Sequence, residues 1–357
     1  MIKVLVIDDS AVMRRFLAAV VTSQSDMELM GVASDPVVAT DRVRRNPPDV
    51  ITLDVEMPRM NGLVFLRGLM ATRPIPVLMV SSHTREGAET TLQALELGAV
   101  DFIAKPASID EMSAAAETIA EKIRAAAQAN VRRRPQPGGE PQVQAPRAVA
   151  APVAIEPALP RGPAGGLNPR SIIGIGASTG GVEALRAILG QLPAAMPPIV
   201  IAQHMLPGFT GPFAKRLDSL CALTVQEARD GDRAQAGHAY IAPAGMHLLV
   251  RAQGSGYRLA LSDEAPVNRH RPSIDTLFHS LAAAAGENAT GLLLTGMGAD
   301  GARGLLAMRE QGALTIAQDE ATSLVFGMPK QAIALGAAQQ VMGLPAIAGR
   351  LTAVFAP

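Results

Sequence analysis

The chain has little cysteine and few large aromatic side chains: one cysteine in 357 residues, two tyrosines and no tryptophan. A single cysteine excludes an intrachain disulfide framework and a zinc cluster held by several thiolates. In its setting, LDSLCALTV, Cys221 reads as packing. The scarcity of tyrosine and tryptophan weighs against a base-stacking surface for single-stranded nucleic acid. Net charge is also missing. Lysine plus arginine and aspartate plus glutamate both total 32, so no global field draws the molecule to nucleic acid or an anionic membrane. No apolar run approaches the roughly 18 residues of a membrane span. The opening MIKVLVIDD meets two aspartates too early for a secretory leader. The expectation is a cytoplasmic protein that is not membrane-embedded and does not bind nucleic acid.

What the chain does have is apolar residues, 48% of the total, spread over a length that exceeds the roughly 250 to 300 residues at which single cores stop growing. Two domains follow. Residues 131–170 hold nine prolines, five glycines, six basic and two acidic residues, with hardly any apolar period. This composition is that of a linker, able to span about 35 Å, with Arg132 to Arg134 as a solvated run. Residues 1–130 carry 13 basic and 17 acidic residues and residues 171–357 carry 13 of each. We therefore divide the chain into domains at 1–125 and 171–357, with a Pro/Ala/Gly-rich linker over 126–170.

In the first domain, β-branched runs alternate with amphipathic segments five times: IKVLVI, ELMGVAS, DVITLD, PVLMVSS and VDFIAK each precede a helical pattern. This (βα)5 alternation predicts an α/β fold with a parallel sheet and functional groups on loops at the carboxyl ends of the strands. Those ends carry Asp8 and Asp9 after the first strand, Asp54 after the third and Lys105 after the fifth. Crowded carboxylates repel one another, so a hard, oxygen-seeking cation such as Mg²⁺ is their natural occupant, with the lysine as a fixed positive point for a phosphoryl oxygen. The segments VLVIDDS, LDVEMPRMNG, MVSSH and DFIAKP resemble a response-regulator receiver domain. The resemblance implies that Asp54 is the phosphoacceptor, Asp8 and Asp9 the acidic pair, and that Asp9, Asp54 and the backbone carbonyl of Glu56 hold Mg²⁺. It also implies that Ser81 bonds the phosphoryl group, Lys105 pairs with it, Phe102 is the aromatic switch, and a histidine kinase is the phosphodonor.

The second domain resumes the alternation with SIIGIGAS, PIVIAQHM and GLLLTGMGADG. The shorter segments HAYIAPAG, HLLVRAQ and YRLALSD suggest a hairpin or meander, and hence a mixed sheet. The loop GIGASTGG, residues 174–181, fits either a dinucleotide-cradling glycine loop or a Gly-x-Ser-x-Gly nucleophile seat. A dinucleotide site requires an acid at the end of the second strand. PIVIAQHM ends in Gln203 and His204 instead. A nucleophile requires a base and an orienting acid, and His204 and Asp300 both follow strands that can share one edge with Ser178. Other candidates remain on the residues alone: His247, His270 between two arginines, Asp275 as a helix cap, and Asp230 and Asp232 in a turn.

GIGASTGG, the QHM segment, APAGMHLLV, NRHRPSIDTLF and LLTGMGADGARGL resemble the catalytic domain of the chemotaxis protein-glutamate methylesterases, the CheB family. The resemblance implies a mainly parallel α/β methylesterase domain with Ser178, His204 and Asp300 as a triad. Thr179 and Met297 would line the site, Met297 through its backbone N–H, and the ester chemistry would need no cofactor. The implied activity is phosphorylation-dependent hydrolysis of glutamate γ-methyl esters, and deamidation of glutamines, on methyl-accepting chemotaxis receptors. A receiver joined to a DNA-binding output and a phospho-dependent binding module are the alternatives from other classes.

Overall fold

The computed structural model describes residues 1–57, 61–81, 85–106, 108–131 and 168–355. The first domain is a five-stranded parallel sheet in the order β2-β1-β3-β4-β5. Its strands are β1 (Ile2–Ile7), β2 (Met27–Ala33), β3 (Val50–Asp54), β4 (Val77–Ser81) and β5 (Asp101–Ala104), and its helices are α1 (Ala11–Thr22), α2 (Pro36–Arg45), α3 (Gly62–Thr72), α4 (Arg85–Leu97) and α5 (Ile109–Ala127). β3 and β4 are buried along their whole length, as strands covered by helices on both faces must be. Helix starts follow the side chains available to cap them. Ser10 accepts from the Met13 N–H, Asp35 from Val37 and Val38 with Pro36 in the first turn, and Asn61 from Leu63.

Residues expected to begin the linker at 126 instead finish this domain. Ala126 is buried at the end of α5, and the Asn130 N–H donates to the Leu324 carbonyl of the second domain at 3.0 Å. Arg132 to Arg134 and the rest of the linker to residue 167 lie outside the described residues.

The second domain is built on seven strands: β6 (Ile172–Ala177), β7 (Ile199–Gln203), β8 (Thr224–Glu227), β9 (His238–Ile241), β12 (Ala289–Leu293), β13 (Leu314–Gln318) and β14 (Gln340–Met342). Their order is β14-β13-β12-β6-β7-β9-β8, and every pairing is parallel. Around the sheet lie α6 (Gly181–Leu189), α7 (Thr210–Asp218), α8 (Ile274–Ala285), α9 (Ala302–Glu310), α10 (Met328–Ala334) and α11 (Leu344–Phe355). This corrects the expected mixed sheet. HAYI joins as the parallel strand β9, while β10 (His247–Gln253) and β11 (Gly256–Ser262) form a separate antiparallel ribbon. The ribbon closes over two residues because Gly254 supplies the left-handed φ of 58° that such a turn needs.

From β6 the chain builds outward in both directions, through β7 on one side and β12 on the other, which makes this the switch point where open α/β sheets place ligands. The two domains pack through the α4, β5 and α5 side of the first. Phe102 on β5 meets Phe209 of the second domain with ring centroids 4.3 Å apart, and one buried apolar cluster runs through both domains. Ion pairs Glu96–Arg216 at 2.9 Å and Glu121–Arg269 at 2.8 Å flank this contact.

Candidate active site and phosphoacceptor pocket

β6, β7 and β12 deliver Ser178, His204 and Asp300 to one edge. His204 Nδ1 lies 3.2 Å from Ser178 Oγ, and His204 Nε2 lies 2.8 Å from Asp300 Oδ2. The imidazole therefore presents Nδ1 to the serine and Nε2 to the carboxylate, turned relative to the serine-protease arrangement in which Nε2 serves the serine. A buried carboxylate on Nε2 favours the tautomer with its proton there. Nδ1 is left as the acceptor for the hydroxyl proton.

Asp300, only 2% exposed, sits at the amino end of α8. It accepts from the Ile274 N–H at 2.7 Å, the Asp275 N–H at 3.2 Å, the Ser273 hydroxyl at 2.9 Å and the Asn268 amide at 2.7 Å. Burial opposes its ionisation, but the His204 hydrogen bond and charge, with those from Asn268 and Ile274, outweigh burial and hold the carboxyl below the usual carboxylate range. Asn268 reaches it from a left-handed backbone, φ 52°, which asparagine tolerates better than most residues. The same amide donates to Asp275 at 2.8 Å.

The loop that carries Ser178 is shaped by glycines at close approaches. A Cβ on Gly296 would stand 2.6 Å from Ser178 Cβ, and Gly180 takes a φ of 81° to start α6 immediately beyond Thr179. Met297 follows Gly296 on the turn after β12, with its side chain 37% exposed. Thr179 is tied twice: its carbonyl accepts from the Thr295 hydroxyl at 3.0 Å, and its own hydroxyl donates to Asp101 of the first domain at 2.7 Å. Asp101 in turn pairs with Lys122 at 2.9 Å. Ser178 and His204 thus open into a cavity of about 300 Å³ whose opposite wall, including Asp101, Phe102 and Asn130, belongs to the first domain.

Sequence reasoning missed the groups that hold Asp300, namely Asn268, Ser273 and the α8 backbone. NRHRPSID drew attention through its charge, whereas its function here is carried by a short amide and a hydroxyl. His270 stacks on His204, with ring centroids 3.7 Å apart. Burial, followed by the neighbouring His204, lowers its pKa to about 4, so it meets the site as a neutral ring near neutral pH. Ser273, not Asp275, caps α8 through its hydroxyl, while Asp275 is buried and accepts from the Gly304 N–H at 2.7 Å. His247 is structural: its Nδ1 accepts from the Ser273 N–H at 3.1 Å. Asp230 and Asp232 flank Gly231, φ 84°, in a turn where they accept from the Leu261 and Arg229 N–H groups.

At the other functional edge, Asp54 Oδ2 lies 2.6 Å from Lys105 Nζ, and Asp8 lies 3.5 Å from the same ammonium. Asp8, Asp9 and Asp54 each offer an oxygen within 4.8 Å of the others. Burial, with the Asp8 charge adding to it, raises the Asp54 carboxyl to about 6 against the Lys105 hydrogen bond. The Asp8 oxygen that faces Lys105 at 3.5 Å is buried and has no closer hydrogen-bond partner, and burial raises its carboxyl as well. Crowded acids with unused oxygen and raised pKa values fit a hard divalent cation. Glu56 turns its N–H onto Asp54 Oδ1 at 3.1 Å. Ser81 is buried at the end of β4, with its hydroxyl on the Gly87 carbonyl at 3.2 Å.

Residues 173–351 match the CheB methylesterase family and residues 4–117 match the response regulator receiver domain. The protein-glutamate methylesterase/protein-glutamine glutaminase of Paraburkholderia xenovorans is 53% identical over 354 residues, which is 99% of this chain and 96% of that protein. The chain belongs to the CheB methylesterase family. The Salmonella typhimurium protein of the same designation is 50% identical over the same share of each chain. Among solved structures, the CheB methylesterase catalytic domain of Thermotoga maritima is 39% identical, with a TM-score of 0.51, and covers 54% of this chain and 100% of that one. Residues 173–351, read as a DNA-binding output in the alternative, match the methylesterase family instead. No helix among the described residues is long and apolar enough to cross a membrane.

Proposed function

We propose that this CheB family member is a phosphorylation-activated serine esterase that hydrolyses glutamate γ-methyl esters, and deamidates glutamines, on methyl-accepting chemotaxis receptors. The observation that carries the reading is the unbroken Ser178–His204–Asp300 relay, with separations of 3.2 and 2.8 Å. Ser178 Oγ attacks the ester carbonyl as its proton passes to His204 Nδ1. Asp300 holds Nε2–H and stabilises the imidazolium that results. Backbone N–H groups beside Ser178 and at Met297 supply the oxyanion contacts. The tetrahedral adduct collapses, His204 protonates the departing methanol, and an acyl-Ser178 ester remains. Water then attacks with His204 as base, returning the serine and a free glutamate. With glutamine, ammonia leaves in place of methanol and the acyl intermediate is the same.

Regulation runs through residues 1–125, with a histidine kinase as phosphodonor to Asp54. Asp9, Asp54 and the Glu56 carbonyl would hold Mg²⁺, which supplies charge neutralisation for the incoming phosphoryl group. Lys105 and Ser81 take the phosphoryl oxygens. Phe102 is the aromatic switch, and its packing on Phe209 supports a path from Asp54 to the interface. The unphosphorylated receiver stands over the Ser178 cavity and limits access by a receptor.

Methanol release from methylated receptor tests the catalytic half. Ser178→Ala is expected to lower it at least ~10³-fold while leaving the circular dichroism spectrum and Tm unchanged. A folded Ser178→Ala protein with wild-type turnover would rule out the serine. A protein that binds receptor without ester turnover in either form would instead be a phospho-dependent binding module.

A further inference from the structure

On the far side of the Asp300 loop lies an open groove among the β10–β11 ribbon, α8 and the first turn of α9. Its floor follows α8 from Thr276 past Ser280 to Ala284, about 12 Å at 1.5 Å per residue. Small side chains there, Ala283 and Ala284 among them, let another helix approach closely. Its rim is basic: Arg251 on β10 and Arg303 on α9 are exposed, and neither has a carboxylate partner among the described residues. The single acid lining it, Asp275, is buried, with one oxygen on the Asn268 amide and the other on the Gly304 N–H. The groove therefore presents positive charge without internal neutralisation.

Its mouth is Asn268, whose amide also holds Asp300, so the groove begins one hydrogen bond behind the triad. The adjacent Arg269 already carries the carboxylate of a helix. Glu121 of receiver helix α5 binds it at 2.8 Å, and α5 also bears Asp110, Glu111 and Glu117. One carboxylate of α5, a helix that also carries Lys122 and Arg124, thus sits on the residue next to the Asn268 mouth of the groove in the closed molecule. We infer that the Arg251–Arg303 groove is the docking surface for the acidic helix that carries the scissile glutamyl ester, and that α5 holds the Arg269 end of that surface until the receiver moves. The inference rests on the esterase reading and adds how the protein substrate is recognised. Each turnover converts a neutral ester into a carboxylate, so a substrate helix is acidic around its remaining esters, which suits this rim.

The test uses the full-length chain with a small-molecule phosphodonor and Mg²⁺, so that the receiver is open, and two substrates: a glutamate-rich helical peptide carrying one γ-methyl ester, and a small uncharged N-acetyl-glutamate γ-methyl ester amide. Arg251→Glu/Arg303→Glu is expected to raise KM for the peptide about tenfold or more with kcat within twofold, and to leave the small ester untouched. Arg251→Lys/Arg303→Lys should retain most of the affinity. Arg44→Glu/Arg45→Glu on α2 makes the same change in net charge and should leave KM alone. An unchanged peptide KM in the charge-reversed protein, or an equal loss on both substrates, overturns the groove. So does a reversal that removes binding to anionic lipid vesicles while sparing the peptide KM, since the partner would then be a membrane surface. A wild-type protein inactive on both substrates would refute the esterase reading itself and be recognised as such.

Discussion

Asp300 shows how much a single carboxylate can organise. Two backbone N–H groups, a hydroxyl, an amide and an imidazole all donate to it. Asp300→Asn would turn an amide nitrogen against some of these donors. It is expected to cost about 3 kcal/mol or more in unfolding free energy and to reduce methanol release by roughly 10³ to 10⁴-fold through loss of the reactive tautomer. The carboxyl is held below its ordinary range, so its contribution to stability is present above about pH 4 and is lost only as pH falls through the lower folded value. The meeting of Ser178, His204 and Asp300 at one edge was legible in sequence because strand ends in an α/β alternation converge, and each of the three follows a strand. Asn268 was not, since nothing in NRHRPSID marks which polar side chain folds inward. A left-handed φ at a non-glycine residue has no pattern in the chain.

Asp54 has the opposite sign. Its carboxyl rises to about 6 in the fold, so the folded chain binds that proton more tightly than the unfolded chain. Stability is present below about pH 4 and is lost as pH rises from there to about 6. A divalent cation favours the ionised form. Mg²⁺ is therefore expected to raise Tm at about pH 7.5 and to have little effect at about pH 4.5, and Asp54→Asn should remove most of that difference. Equal Mg²⁺ shifts at both values, followed by differential scanning calorimetry, would count against a cation at this cluster.

At the scale of elements, the turn between β12 and α9 sets how Ser178 and Asp300 stand to one another. Gly296 passes so near Ser178 that a methyl group would meet its Cβ at 2.6 Å. Gly296→Ala is expected to cost about 1 to 3 kcal/mol through overpacking and to displace Ser178 enough to suppress turnover, measured by urea unfolding and methanol release. The strands were readable from their β-branched runs, and parallel pairing followed from helices interposed between them. The β10–β11 ribbon was misassigned to the main sheet because alternation identifies a strand without naming its partner. β10 and β11 pair with each other across Gly254, and β11 has one further isolated bridge, Arg258 to Arg233.

At the scale of the molecule, the receiver and esterase domains share one apolar cluster, and polar ties cross between them at the active-site mouth. The Asp101–Thr179 hydrogen bond, backed by Lys122, binds the residue next to Ser178 to the receiver domain. Asp101→Ala should raise basal methanol release by several-fold and narrow the stimulation by a phosphodonor, since one charge-assisted bond is worth about 1.5 to 3 kcal/mol. The most direct measurement is methanol release from methylated receptor by the full-length chain, with and without a small-molecule phosphodonor and Mg²⁺. Wild type is expected to be slow and then stimulated, whereas Asp54→Asn stays slow under both conditions. Equal stimulation of Asp54→Asn, or a wild-type rate indifferent to the donor, would contradict a receiver that guards Ser178 until Asp54 is phosphorylated.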